Sequence, residues 1–420
     1  MSTLGNLVRL ARDVMLVSLG KYGQYVVTLV TVPLCARLLG VEGTGLLAVS
    51  TAAYFFGSIF VDWGLTQILA ARTGRGTPAS SIRAAYAKLR AISFSLISLG
   101  LAIALLSSAP PLLVMVALGL FAGGVSSLGE EWILIGRGQF ARIAGIQMTG
   151  RIVYLVSLVL LLPMVRQPWL PMTLLAAGNL VSATLSWIAV RATDFDGSSD
   201  TSVRTLLRDG RSPAVARLLA AGYGQGSSVY FSLVVAIPAL GLFSAADKLT
   251  RAAGSALDAF GLALLPRMSK SMSVQERFWA SARKATWAAF CLGLLVAACL
   301  FLAAPLVIWV LYGDGFGEAI GLLQVLVWLL PASATSSMLS TSVLYVVEDS
   351  KGILGGAVLG TGLGGVALLM TGLSGGDAVV MVISVAAVEW LVMSFNILRV
   401  RYLRINGRMA TMSTREPAST

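Results

Sequence analysis

Long apolar runs separated by short polar connections fill this chain almost from end to end. A helix needs about 20 apolar residues to cross a hydrocarbon core about 30 Å thick, and the runs are about that long. Helices satisfy their own backbone hydrogen bonds in lipid, so such runs are expected to be helical. The pattern predicts an all-α integral membrane protein with twelve transmembrane helices, at 14–36, 45–70, 91–107, 110–128, 143–162, 171–190, 214–236, 240–265, 285–310, 319–346, 352–372 and 377–398.

Lysine and arginine crowd every second connection between these runs. The intervening connections hold only Arg37 and Arg166. Short loops rich in positive charge stay on the cytoplasmic side of a membrane. We therefore expect both termini in the cytoplasm and a multi-pass protein of the plasma or inner membrane.

Composition supports the same assignment. Of the 420 residues, 57% are hydrophobic and 12% are charged, which leaves too little polar surface to cover a soluble protein of this length. The net charge of +12 then acts as an orientation signal and attracts anionic headgroups, so membrane lipid is an expected partner and nucleic acid is not. The first run lacks a small-residue cleavage pattern, which predicts an uncleaved signal anchor.

A polar stretch near the middle divides the predicted helices into two sets of six. We expect an N-terminal six-helix bundle over 1–190, a cytoplasmic linker over 191–213, a C-terminal six-helix bundle over 214–398 and a cytoplasmic tail over 399–420. The triplet Tyr22-Gly23-Gln24 of the first helix recurs as Tyr223-Gly224-Gln225 in the seventh. Two bundles related by a pseudo-twofold axis, with a cleft between them, are typical of transporters.

Several stretches resemble the Wzx-type polysaccharide and O-antigen flippases of the multidrug, oligosaccharidyl-lipid and polysaccharide (MOP) exporter superfamily. They are ARLLGVEGTGLLAVS at 36–50, VDWGLTQIL at 61–69, EEWILIGRGQFARIAGIQMTGRIVYL at 130–155, GLFSAADKLTRA at 241–252, ALLPRMSK at 263–270 and APLVIWVLYGDGF at 304–316. The resemblance covers nearly the whole chain. It implies a flippase that moves a polyprenyl-diphosphate-linked glycan from the cytoplasmic to the outer leaflet by alternating access, alongside a glycan polymerase or glycosyltransferase of the same pathway.

Two relatives of the same superfamily remain alternatives. Lipid II flippases usually carry two further helices, for which this chain has no room. Multidrug exporters also have twelve transmembrane helices, so the number of helices does not separate them from polysaccharide flippases. The quoted stretches favour the polysaccharide branch.

Charged residues inside the predicted helices are the candidates for chemistry, because each costs about 3 kcal/mol or more at mid-membrane unless it faces protein or water. They are Lys21, Asp62, Arg151, Asp247, Lys248, Arg251, Asp258 and Glu389. Asp247, Arg251 and Asp258 lie at i, i+4 and i+11, which predicts one narrow stripe facing the cleft. We expect Lys21, Asp62, Arg251 and Asp258 to line one central cavity.

The cations match the substrate that the resemblance implies. A headgroup with about two negative charges needs paired donors in a low-dielectric cavity, and Lys21, Arg151 and Arg251 are the candidates to bind it. We expect Arg251 to be the main ligand because it is the deepest cation. The alternative is that these charges neutralise one another, Lys21 with Asp62 and Arg251 with Asp247.

The acids are candidates for coupling, since a chain without histidine must use carboxylates for any proton relay. Asp62, Asp258 and Glu389 are the available residues, and Asp247 belongs to the same stripe of charges. An acid beside a cation that the substrate can take over is a plausible coupling site, and a static ion pair is the alternative. We expect Glu130 and Glu131 to be solvated at a membrane interface.

Aromatic residues allow two readings. Trp63, Trp132, Trp169, Trp279 and Trp309 fall near predicted helix ends, where we expect interfacial anchors. Tyr22, Tyr25 and Tyr223 lie within helices and are candidates to stack on sugars, with packing as the alternative. Pro331 and Pro305 are expected to kink their helices.

Enzymatic function has little support in the sequence. It holds no GxxxxGK[ST] motif for ATP, no cluster of metal ligands and no long outward loop for a polymerase or glycosyltransferase site. We expect no cofactor and no metal, and we read Cys35, Cys291 and Cys299 as apolar filler. A membrane-embedded glycan polymerase or glycosyltransferase is the alternative of a different class.

Overall fold

The computed structural model describes residues 3–74, 77–191, 202–223, 231–271, 275–344, 346, 347 and 349–406. Some helical residues are described by their backbone alone, among them most of 3–29 and all of 258–271. Every regular element in these ranges is a helix. The chain divides into two compact units, Met1–Leu233 and Val234–Thr420.

The described part of the first unit contains eight helices. They are α1 (Thr3–Asp62), α2 (Leu65–Gly74), α3 (Ser80–Leu106), α4 (Pro111–Ser126), α5 (Glu131–Gly136), α6 (Phe140–Leu161), α7 (Trp169–Arg191) and α8 (Val203–Tyr223). The amphipathic α8 packs into this unit through buried Leu206. Residues 191–213 thus include the start of a helix, and the proposed linker and bundle boundaries remain predictions.

The first helix shows how a glycine shapes the unit. Gly40 has φ of 69°, a left-handed conformation that other residues adopt at a cost, and it kinks α1 between the first two predicted helices. A second left-handed pair, Trp63 and Gly64, separates α1 from α2. Gly40 therefore separates two helical segments, which correspond to the predicted helices at 14–36 and 45–70, and the second of these is interrupted again between α1 and α2.

Glycines let α1 and α4 approach closely. A Cβ atom on Gly119 would overlap the backbone carbonyl oxygen of Ser50, and one on Gly123 would overlap that of Tyr54. In the other direction, a Cβ atom on Gly57 would meet the carbonyl oxygen of Leu120. Small residues four apart are a common way for membrane helices to bring their backbones together.

Gly123→Ala should lower the free energy of unfolding by at least about 2 kcal/mol, because the added methyl group meets backbone that cannot yield. Gly100→Ala in α3 is the matched control, since nothing lies within 4 Å of its Cβ position. It should be neutral or stabilise by up to about 1 kcal/mol. Unfolding of the two variants in mixed micelles measures the difference, and equal effects would contradict this packing.

The second unit has more irregular helices than the first. It contains α9 (Ile237–Ser271), α10 (Gln275–Tyr312), a 3-10 turn (Asp314–Phe316), α11 (Ala319–Leu326), a 3-10 turn (Val327–Leu329), α12 (Leu330–Met338), a π-helical turn (Leu339–Leu344), α13 (Ser350–Leu373) and α14 (Ala378–Ile405). Pro331 lies at the start of α12, directly after the 3-10 turn that follows α11. The kink expected at this proline stays a prediction. Pro305 lies inside α10, which continues through it.

Eight stretches of the described chain are long and apolar enough to cross a membrane. They are Val30–Asp62, Ser80–Leu106, Phe140–Leu161, Trp169–Val190, Gln275–Tyr312, Ala319–Leu344, Lys351–Leu373 and Ala378–Ile405. A shorter apolar helix, Pro111–Ser126, coincides with the predicted fourth crossing. The chain is a multi-pass membrane protein, and the number twelve and the orientation of the termini remain predictions.

Candidate functional site

A polar cavity of about 230 Å³ lies within the first unit. It is lined by Tyr54, Ser126, Gly129, Glu131, Gln147, Gly150, Arg151, Tyr154, Leu175, Asn179, Ser182 and Ala183. Three of the surrounding helices, α1, α6 and α7, contain stretches apolar enough to cross a membrane, so polar groups gathered here need a reason. One cation and one acid, Arg151 and Glu131, are the charged members of this lining.

Four helices place the two charged groups, the two amides and Tyr54. Gln147 and Arg151 lie four residues apart on α6, so they share one face of that helix. Asn179 comes from α7 and Tyr54 from α1, while Glu131 begins the short helix α5. Close contact between α6 and α7 depends on Gly150 and Gly178, where a Cβ atom on either would meet the other's carbonyl oxygen.

Two hydrogen bonds order the cavity. The Gln147 amide donates to Glu131 Oε2 at 2.9 Å, and the Asn179 amide donates to the Tyr54 hydroxyl at 3.2 Å. Arg151 is half-buried and acts electrostatically on Glu131. The cavity therefore presents a guanidinium, a carboxylate and two amides in a low-dielectric region, where charge-assisted hydrogen bonds are strong.

Burial raises the pKa of Glu131 above its ordinary value of 4.5, and the Gln147 hydrogen bond and the Arg151 charge partly oppose that rise. A carboxyl group whose pKa is raised in the folded protein favours folding while it is protonated. The contribution of Glu131 to the free energy of unfolding is fully present below pH 4.5. It is lost as the pH rises through the raised pKa of the folded state.

Relative to a variant that cannot ionise at this position, the melting temperature of wild type should therefore fall as the pH rises from 4.5 through the folded-state pKa of Glu131. Glu131→Gln keeps the shape and cannot ionise, so it should show a smaller fall over the same interval. Glu318→Gln is the control because Glu318 is exposed. Thermal unfolding across a pH series measures all three proteins, and identical slopes for wild type and Glu131→Gln would contradict the assignment.

Asp62 lies in a second cluster of the same unit, at the end of α1. It is 3% exposed and accepts hydrogen bonds from the Thr66 backbone and hydroxyl groups and from the Tyr86 hydroxyl. It also pairs with Arg217 of α8. The ion-pair alternative is thus present for Asp62 with a partner that the sequence did not suggest, and the side chain of Lys21 lies outside the described residues.

Glu130 corrects an expectation, because its side chain is fully buried. Its Oε1 accepts from Arg90 at 2.6 Å and its Oε2 from the indole N–H of Trp132 at 2.8 Å. Arg90 also donates to the carbonyl oxygens of Ser127 and Gly129. The expectation of a solvated Glu130 was wrong because a buried arginine compensates the carboxylate.

Two of the tryptophans expected as interfacial anchors are also buried. Trp132 is 1% exposed beside Tyr86, with their rings edge to face. Trp279 is 7% exposed and packs against Phe278. Trp169 and Trp309 are exposed, which agrees with an anchoring position.

In the second unit, Arg251 pairs with Asp247 one turn earlier on α9, at 2.7 Å. The Arg251 side chain is 43% exposed, so this pair leaves part of the guanidinium accessible. Glu389 is half-buried near the middle of α14 and has a partner of its own. The side chains of Asp258, Tyr22, Tyr25 and Tyr223 lie outside the described residues, so their roles remain predictions.

The sequence reading missed four members of the cavity, namely Tyr54, Glu131, Gln147 and Asn179. Asn179 was detectable, since it is an amide inside an otherwise apolar helix. Glu131 was misplaced because hydropathy assigns it to a connection, whereas the short helix α5 carries it into the bundle. Within the described residues no group of three metal-ligating side chains occurs, and Cys35, Cys291 and Cys299 form no disulfide bond.

Comparisons with solved structures identify the fold. An inward-facing multidrug resistance MATE family transporter of the MOP superfamily aligns with 98% of this chain and 99% of its own, at 16% identity and a TM-score of 0.61. The lipid II flippase MurJ, in an inward closed conformation, aligns with 96% of this chain and 94% of its own, at 10% identity and a TM-score of 0.67. A MOP superfamily transporter from Pyrococcus furiosus matches at 16% identity and a TM-score of 0.50, over 94% of this chain and 95% of its own.

Sequence comparison gives the family. No curated protein sequence matches the chain significantly. The polysaccharide biosynthesis protein family matches residues 10–272, which is more than half of the chain. The chain therefore belongs to the polysaccharide biosynthesis protein family and has the fold of MOP superfamily transporters.

Proposed function

We propose that this protein is a flippase that moves a polyprenyl-diphosphate-linked oligosaccharide from the cytoplasmic to the outer leaflet of the cell membrane. The family assignment supports a role in polysaccharide assembly, and the shared fold supports transport by alternating access. The outer-leaflet product would then be available to a glycan polymerase or glycosyltransferase of the same pathway. The flippase itself makes and breaks no covalent bond and needs no cofactor.

The polar cavity around Arg151 is the observation that carries this proposal. A diphosphate needs a cation with a fork of donors, and the guanidinium group of Arg151 provides one inside an apolar bundle. The amides of Gln147 and Asn179 and the hydroxyl group of Tyr54 offer hydrogen-bond partners to phosphate or sugar oxygens. When the diphosphate takes over Arg151, Glu131 loses a stabilising charge and its proton affinity rises.

The proposal also includes residues that the sequence analysis predicted for substrate binding or coupling. Lys21 and Arg251 are additional cations for the diphosphate, and Tyr22, Tyr25 and Tyr223 are candidates for stacking on sugars. Asp62, Asp247, Asp258 and Glu389 form the set of acids for coupling or ion pairing. Of these, the Asp247 pair with Arg251 best fits a switch, because the diphosphate could displace one carboxylate from one exposed guanidinium.

A multidrug exporter is the second candidate, because MATE transporters have this fold. A cationic drug would favour a cavity in which acids outnumber cations. The cavity in the first unit has one of each, and Arg151 would repel such a drug. Protonation of Glu131, which its raised pKa favours, leaves Arg151 as the one charge of this lining, and in that state the cavity favours an anionic substrate.

Depletion of the protein in its own cells tests the proposal. A lipid-linked oligosaccharide should accumulate with its glycan facing the cytoplasm, where a membrane-impermeant reagent cannot reach it in intact cells. Mass spectrometry of the extracted lipids identifies the glycan that accumulates. Accumulation of an unpolymerised glycan on the outer leaflet would indicate a polymerase and overturn the proposal.

A further inference from the structure

An apolar groove on the second unit contains none of the candidate substrate-binding or coupling residues. Its volume is about 380 Å³, within the range of small-molecule sites. Helices α10, α12 and α14 and the π-helical turn form it. It is lined by Trp279, Ala282, Arg283, Thr286, Trp287, Phe290, Thr335, Leu339, Met393, Ile397, Val400, Arg401 and Arg404.

The wall of the groove offers almost no hydrogen-bonding group to a ligand. The hydroxyl groups of Thr286 and Thr335 donate to carbonyl oxygens of their own helices, at 2.7 Å in both cases. Phe290 and Trp287 pack edge to face along the wall, and Trp287 is 63% exposed. Such a wall suits a hydrocarbon chain.

Three arginines stand at one end of this wall. Arg283 comes from the start of α10, and Arg401 and Arg404 come from the last two turns of α14. All three side chains are exposed, and no acid in the described part of the chain pairs with them. Arg399 on the same helix is paired with an acid, because its guanidinium group donates two hydrogen bonds to the Asp349 carboxylate, at 2.6 and 2.8 Å.

We infer that this groove is a binding site for an anionic phospholipid, with an acyl chain along the apolar wall and the phosphate at Arg283, Arg401 and Arg404. Charge complementarity selects the headgroup, since a phosphate attracts the arginines and each contributes about 1 kcal/mol near a membrane surface. The distribution of cations in the sequence places these arginines on the predicted cytoplasmic side, so the lipid would come from that leaflet.

The site is independent of the proposed transport. An oligosaccharide-linked substrate would need hydrogen-bond partners along its glycan, and the two threonine hydroxyl groups of the groove wall are already bonded to carbonyl oxygens of their own helices. A two-chain phospholipid needs only the phosphate contact and apolar surface. The inference therefore holds or fails by a binding measurement that requires no flipping.

Native mass spectrometry of the delipidated full-length protein in neutral detergent tests the inference, with phosphatidylglycerol as the probe and phosphatidylcholine of the same chains as the comparison. Wild type should bind phosphatidylglycerol at least about tenfold more tightly than phosphatidylcholine. The triple variant Arg283→Gln, Arg401→Gln, Arg404→Gln should lose at least about tenfold in phosphatidylglycerol affinity. Thr286→Trp should also weaken binding, because it fills the groove and leaves the arginines in place.

The matched control is Arg277→Gln, Lys284→Gln, Lys351→Gln, which removes the same charge from exposed positions of the same unit outside the groove. It should keep phosphatidylglycerol affinity within about twofold of wild type. An equal loss of phosphatidylglycerol affinity in this control would show that net charge alone causes the effect, and would overturn the inference. Tighter binding of a polyprenyl diphosphate, with phosphatidylglycerol displaced from the groove, would assign the site to the substrate and overturn it equally.

Discussion

Arg151→Ala should reduce transport of a polyprenyl-diphosphate glycan by at least about tenfold, because hydrogen bonds between charged groups contribute about 1.5–3 kcal/mol each. The transport rate of Arg151→Lys should lie between those of Arg151→Ala and wild type, since lysine keeps the charge but lacks the planar pair of donors that arginine offers. The measurement is the initial rate of glycan exposure in liposomes at equal protein content.

Arg142→Ala provides the control on the same helix. Arg142 is exposed at the start of α6 and bonds to Gln139, away from the cavity. The Arg142→Ala variant should transport the glycan at the wild-type rate. A thermal unfolding measurement on each variant separates loss of binding from loss of folded protein. If folded Arg151→Ala transports as fast as Arg142→Ala, the cavity does not bind the diphosphate.

Glu130→Ala should lower the free energy of unfolding by about 3–5 kcal/mol, since it leaves the buried charge of Arg90 without its partner. The two side chains are 2% and 0% exposed and 2.6 Å apart, so water cannot replace the lost carboxylate. Replacing both residues with apolar ones, as in Arg90→Met with Glu130→Leu, should recover much of the loss. Titration with a denaturing detergent measures the three proteins.

Asp209→Ala is the control for a partly exposed pair. Arg72 and Asp209 are 36% and 22% exposed and 2.7 Å apart. Solvent screens this pair, and its loss should cost no more than about 1 kcal/mol. Equal effects of the two alanine variants would mean that the Glu130 network does not hold the unit together.

The sequence predicted helices well where one apolar run makes one crossing. Helices α6 and α7 begin within three residues of their predicted starts at 143 and 171. Hydropathy marks only the lipid-facing part of a helix, however. Helix α3 begins at Ser80, before the predicted 91, and α14 continues to Ile405, beyond the predicted 398, because polar turns extend both helices past their apolar runs.

The candidate site could be predicted only in part, for a physical reason. A charge inside an apolar run is visible in a sequence, and Arg151 was found in that way. Its surroundings depend on packing between distant segments, and neither Glu131 nor Tyr54 carries a local signal of it. The pair between Asp62 and Arg217 joins residues 155 positions apart, so no spacing rule could have predicted it.

Reconstitution of the purified protein tests the central claim most directly. Liposomes containing a fluorescent polyprenyl-diphosphate oligosaccharide are treated with a membrane-impermeant quencher, and the lipid is then recovered and its mass measured. The account predicts that the protein exposes the inner-leaflet glycan to the quencher without changing its covalent structure, and that Arg151→Ala does so at least about tenfold more slowly. Glycan that stays protected in the presence of folded protein, or a product of altered mass, would contradict the assignment as a flippase.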